Sequence, residues 1–195
     1  MSAPLVWALD RARRHTLSLV AGVPLQAMRW QSAPGERHPE WLLGHLLLAD
    51  TYLLFLLGAE PLPDDFAILL QRYGPASTPA AQDAGEHAHD AIERLTRTHA
   101  VRLARVEAMS AHDLAQSLPD AHLAAAQPTI GHHLQALVFH EGYHSGQLSA
   151  WRRAHGFAPV RWAMGAGAGS PTESWYSYSY SYSYSCSCSC SCSTR

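Results

Sequence analysis

Two histidines four residues apart, His140 and His144, stand in the pentapeptide His140-Glu141-Gly142-Tyr143-His144. On an α-helix, side chains at i and i+4 lie on one face, one turn apart, so both imidazoles can reach the same metal ion. A third histidine, His45, stands alone in the apolar run Trp41-Leu42-Leu43-Gly44-His45-Leu46-Leu47-Leu48. Three neutral imidazoles on one divalent ion would leave a coordination position open, as catalytic rather than structural sites do.

The pentapeptide also spells H-E-x-x-H, the zinc-protease pattern in which the glutamate is general base. That reading needs a third ligand downstream. The extended protease spacing places Gly at 147 and His at 150, where this chain has Gln147 and Ala150. The strand on which such a helix usually packs is missing as well, because no segment alternates between hairpin turns. Glu141 remains the candidate catalytic base for a hydrolytic reaction. It lies about 100° around the helix from His140, so it equally fits an orienting flank or a plain surface carboxylate.

Four long helices must position these groups. Leu5 to about Ala21 carries apolar residues at helical spacing and ends at Gly22-Val23-Pro24. Pro39 suits the first turn of a second helix running to Leu57 and stopping at Gly58. It is mainly Leu and must be covered on most sides, in part by a short helix over Asp65 to Tyr73. Asp83 to Met109 forms the third long helix, with Ile92, Leu95, His99, Arg102, Leu103 and Val106 in register. A loop with Pro119 and Pro128 ends at Thr129, a fitting N-cap, and the fourth helix runs to His155 before Gly156. The expectation is an all-α four-helix bundle.

On that frame His45, His140 and His144 all point inward, with Tyr52, His133, Tyr143, Gln147 and Trp151 as candidates to line a pocket. An inward imidazole without a partner costs on the order of 1–3 kcal/mol, and a shared divalent ion would satisfy all three.

The segment His140-Glu141-Gly142-Tyr143-His144-Ser145-Gly146-Gln147-Leu148 resembles the H-x-x-x-H-x-G-Q segment of the DinB/YfiT-like superfamily. Trp41-Leu42-Leu43-Gly44-His45-Leu46 resembles the motif carrying that family's first histidine, and Ala8-Leu9-Asp10-Arg11-Ala12-Arg13-Arg14 suits its first helix. The resemblance runs from about Leu5 to Ala158. It implies a four-helix bundle holding one divalent metal, usually zinc or nickel, with His45, His140 and His144 as ligands and water completing the shell. It also implies a metal-dependent hydrolase, or a transferase or isomerase using a low-molecular-weight thiol as cofactor. The superfamily holds members without known activity too, so a metal-binding stress or accessory protein without turnover is the alternative. The second histidine pair is similar, in addition, to that of the N-terminal domain of the iron-dependent sulfoxide synthase of ergothioneine biosynthesis, a larger enzyme whose catalytic domain is not in this sequence.

Composition fits this reading. A chain of 195 residues, 47% hydrophobic and 15% charged, is that of one globular domain, expected over residues 1–160. The formal net charge of −2 lacks the basic face that nucleic acid would require. Leu42 to Leu57 falls short of the roughly 20 residues of a membrane span and contains His45 and Asp50. The N-terminus does not read as a secretory signal, which makes a cytoplasmic location the expectation; the enzyme reading carries with it a small-molecule substrate. Leu43, Leu47 and Leu54 fall away from the His45 face, where they would offer a homodimer surface or pack on the short helix. Residues 161–195 pass from Gly-Ala into Ser-Tyr and Ser-Cys repeats, expected to be a disordered low-complexity tail. All four cysteines, Cys186, Cys188, Cys190 and Cys192, lie there, leaving the bundle without disulfides or thiolate ligands.

Overall fold

The structure is a computed structural model that describes residues 2–79 and 87–160. The repeat tail lies outside the described residues, as does the start expected for the third long helix. Helix α1 spans Ala3–Val20, and a 3-10 turn over Leu25–Arg29 follows. Next come α2 over Pro39–Leu56, α3 over Phe66–Tyr73 and α4 over His87–Glu107. Short α5 (Ala111–Ala115) and α6 (Ala121–Ala124) precede α7 over Ile130–Ala154. Among the described residues there is no strand, only an isolated bridge between Ser117 and Thr129.

Local chemistry sets the boundaries. The His38 side chain accepts the backbone N–H of Trp41 and caps α2, whose first turn contains Pro39. Beyond α2, Gly58 takes φ +62°, where a side chain would be strained. Thr129 caps α7 by accepting from the backbone N–H of His132. Two helices that the sequence pattern reads as loop, α5 and α6, owe their existence to caps. Ser110 and Asp113 form a reciprocal capping box, and Asp120 accepts from the N–H groups of His122 and Leu123.

The long helices form a bundle with two apolar layers. One layer combines the C-terminal ends of α1 and α7 (Leu19, Leu148) with the N-terminal halves of α2 and α4 (Leu43, Leu95). The other combines the N-terminal ends of α1 and α7 (Leu9, Leu134) with the C-terminal ends of α2 and α4 (Leu53, Val106). Thus α1 and α7 run parallel to one another and opposite to α2 and α4, an up-down-down-up bundle. Parallel neighbours need a long crossover, and the segment containing α3 makes the one from α2 to α4.

Between the layers lies a buried polar one. The Arg13 guanidinium donates to Asp50 (Nη1–Oδ2 2.9 Å) and to Glu141 (Nε–Oε1 2.5 Å, Nη2–Oε2 3.2 Å). Arg102 Nη1 reaches the other oxygen of Asp50 at 2.6 Å, and its Nη2 lies 3.6 Å from Glu141. The four side chains come from all four long helices and are 1–2% exposed. Burial would raise the Asp50 carboxyl, but Arg102 and Arg13 hold it below the usual carboxylate value. Thr16 and Ser145 add a hydroxyl pair at 2.9 Å between α1 and α7.

The leucines expected to offer a dimer face are covered instead. Leu43, Leu47 and Leu54 are 0–1% exposed, because α2 is packed by α3 and α4 as well as by α7. That removes the sequence argument for a homodimer through this face. Among the described residues no helix is long and apolar enough to cross a membrane.

Candidate metal centre

His45 projects from the middle of α2, and His140 and His144 project from successive turns of α7. Their Nε2 atoms converge, with His140 Nε2 3.1 Å from His45 Nε2 and 3.0 Å from His144 Nε2. One ligand atom from each of the three lies within 4.8 Å of the others, a grouping that can hold a metal ion.

Neighbours fix two of the rings. His45 Nδ1 is 2.7 Å from the Tyr73 carbonyl, which only accepts, so this nitrogen carries the proton and Nε2 carries a lone pair. His144 Nδ1 is 2.7 Å from Gln147 Oε1, with the same consequence, and the Gln147 amide donates in turn to the Tyr143 hydroxyl at 3.3 Å. The Trp41 ring stacks on His45, centroids 4.9 Å apart and planes within 11°.

Gly44 allows the close approach behind His45. A Cβ there would stand 2.5 Å from the Tyr73 ring, so α3 lies against α2 only because position 44 lacks a side chain. The same contact brings the Tyr73 carbonyl to His45.

The donor set fits a divalent cation. His45 and His144 both present Nε2 lone pairs to His140 Nε2, which carries at most one proton when neutral. One of the two close nitrogen pairs therefore has no hydrogen between its atoms, and a shared cation removes that conflict. Zn–N bonds of about 2.0–2.1 Å give nitrogen–nitrogen edges of roughly 3.3 Å in a tetrahedron, close to the spacing here. Burial, followed by the nearby charge of His45, pulls His140 down to about 4. Burial does the same for His144, also to about 4, and lowers His45. All three are neutral at pH 7, the form that ligates.

The triad forms part of the wall of an open cavity of about 640 Å³ between α2, α3 and α7. Tyr52, His133 and Tyr143 line it beside apolar side chains such as Leu48, Phe66 and Leu137. Tyr52 donates to Asp120 at 2.5 Å, and His133 is held by Gln127. Trp151 is elsewhere: its indole N–H donates to the Trp30 carbonyl at 2.7 Å in the layer beyond the triad.

Glu141 does not line the cavity. It is 2% exposed, with both oxygens on Arg13 in the buried polar layer, turned about 100° around α7 from His140 and away from the cavity. Among the described residues no downstream group joins His140 and His144 as the H-E-x-x-H protease pattern requires; the third imidazole comes from α2.

The sequence reading missed Arg13, Asp50 and Arg102, although a signal was present. Arg102 falls on the apolar stripe of α4 and Asp50 interrupts a Leu-rich helix, each a charge where solvent is not expected. The Tyr73 carbonyl carries no side-chain signature.

A helical bundle whose cavity wall combines one histidine from its second long helix with an i, i+4 pair from its last defines a candidate metal-binding class. The chain belongs to the DinB superfamily, whose family model matches residues 8–148. A comparison with curated proteins found no match.

Proposed function

We propose that this DinB-superfamily chain is a metal-dependent enzyme, with His45, His140 and His144 holding one divalent ion, zinc or nickel, beside a small-molecule pocket. The observation that carries the reading is the cavity of about 640 Å³ into which the triad opens. A metal binder without turnover has no need for such a space, and a sealed triad would be its mark. When bound, a divalent ion supplies Lewis acidity at an open position and lowers the pKa of a water or thiol held there.

The residues perform the rest. Tyr73 and Gln147 fix the His45 and His144 tautomers so that Nε2 faces the cavity. Phe66, Leu48 and Leu137 keep the wall apolar, which limits water around a bound molecule. No described carboxylate lines the cavity to act as base, so the activated group is a nucleophile that does not depend on one, in a hydrolase or a thiol S-transferase.

Elemental analysis of the purified protein beside His45→Ala tests the ligand set. One equivalent of zinc or nickel in the wild type and its loss in the variant is the expected result; equal content in both overturns it. Screens for ester or amide hydrolysis and for transfer of low-molecular-weight thiols, before and after chelation, separate the two chemistries. Turnover that survives complete metal removal argues against a metal-dependent enzyme.

A further inference from the structure

Arg37 belongs to the same cavity and has no acidic counterpart among the described residues. It stands four residues before Trp41 and eight before His45, and its guanidinium lies over the Trp41 ring, 4.6 Å from the centroid. It is half-buried in the cavity wall, and among the described residues no carboxylate pairs with it.

The described cavity wall contains this one fixed cation, four histidines and no aspartate or glutamate. A nearby acid, Asp120, is occupied by the Tyr52 hydroxyl and two backbone N–H groups. The remainder of the wall is largely hydrocarbon and aromatic. A cation left unpaired beside apolar surface gains most from an anion brought by the ligand, and the planar guanidinium matches a carboxylate in two-point contact.

We infer that the cavity takes an apolar small-molecule carboxylate, its carboxylate on Arg37 and its hydrocarbon body along Leu48, Ala49, Phe66, Leu70 and Leu137. The inference rests on the reading of this cavity as the substrate site of the proposed enzyme and deepens it by naming a substrate class. It concerns a binding contact that does not need the metal, which keeps the two separable.

Calorimetric titration of 2-naphthoate and of its neutral isostere 2-naphthamide supplies the test, on zinc-loaded and on chelator-treated protein. The expected result is that naphthoate binds about tenfold more tightly than the amide in both preparations. Arg37→Gln brings the two affinities together, and Arg37→Lys retains part of the preference. Equal affinities in the wild type, no binding of either probe at millimolar concentration, or a preference unchanged in Arg37→Gln each overturn the assignment. A preference present only with zinc and kept in Arg37→Gln places the carboxylate on the metal and also overturns it, while leaving the metal reading intact. Conversely, a preference that depends on Arg37 in a protein that binds no metal sustains this inference and removes the other.

Discussion

Glu141 gives both carboxylate oxygens to Arg13, at 2.5 and 3.2 Å, although it directly follows His140 in the chain. Adjacent residues of α7 thus serve different faces, the imidazole turning to the cavity and the carboxylate to the buried ion layer. Replacing Glu141 by Gln leaves Arg13 and Arg102 with one carboxylate between them. Breaking a buried pair in this way costs about 3–5 kcal/mol, which denaturant unfolding of the metal-free protein would register. A catalytic base would behave differently, with turnover lost at unchanged stability.

Gly44→Ala should harm the metal centre without touching a ligand. The new methyl collides with the Tyr73 ring, so α3 must move and carry the Tyr73 carbonyl away from His45. A stability loss of about 1–3 kcal/mol is expected from the overpacking, together with weaker zinc binding in a competition titration. Unchanged affinity would mean that the carbonyl does not orient His45.

Gln147→Ala removes the acceptor for His144 Nδ1 and frees that ring to turn or change tautomer. Loss of such an outer partner lowers metal affinity by about 10–100-fold. Gln147→Glu, which preserves an acceptor, should restore most of it, and failure to do so would argue against the orienting role.

Acid should weaken the metal-free protein in a defined window. Burial holds His140 and His144 at about 4, against an ordinary imidazole value of 6.5. Between those values the unfolded chain binds protons that the native site refuses, so unfolding is favoured increasingly as pH falls. The contribution is complete above about 6.5 and disappears as pH falls toward about 4. Thermal midpoints recorded from pH 7 downward should therefore decline, and His140→Gln should flatten the slope. A wild-type midpoint independent of pH across this window would contradict the assignment of neutral, buried imidazoles.

The bundle could be read in the sequence because apolar spacing, Pro39, Thr129 and Gly58 are local signals that tertiary packing did not override. The triad was legible for a related reason: His45 interrupts an apolar run, and His140 and His144 share a face by helical period alone. What escaped was pairing across distance. The charge of Arg13 reads as solvent-facing until Asp50 and Glu141 arrive from residues far along the chain. Likewise, the face of α2 carrying Leu43, Leu47 and Leu54 reads as available until α3 and α4 close over it. Glu141 misled because its neighbours in sequence are histidines while its neighbours in space are arginines.

The ion layer also acts as an alignment key. Sliding α7 by one turn along α1 would carry Glu141 into hydrocarbon and strand Arg13, so only one registry keeps every buried charge matched. That registry sets His140 and His144 at the height of His45. The cavity wall supplied by α3 contributes nothing to the key, so Phe66 and Leu70 are free to diverge and retune ligand choice while the three imidazoles stay in place.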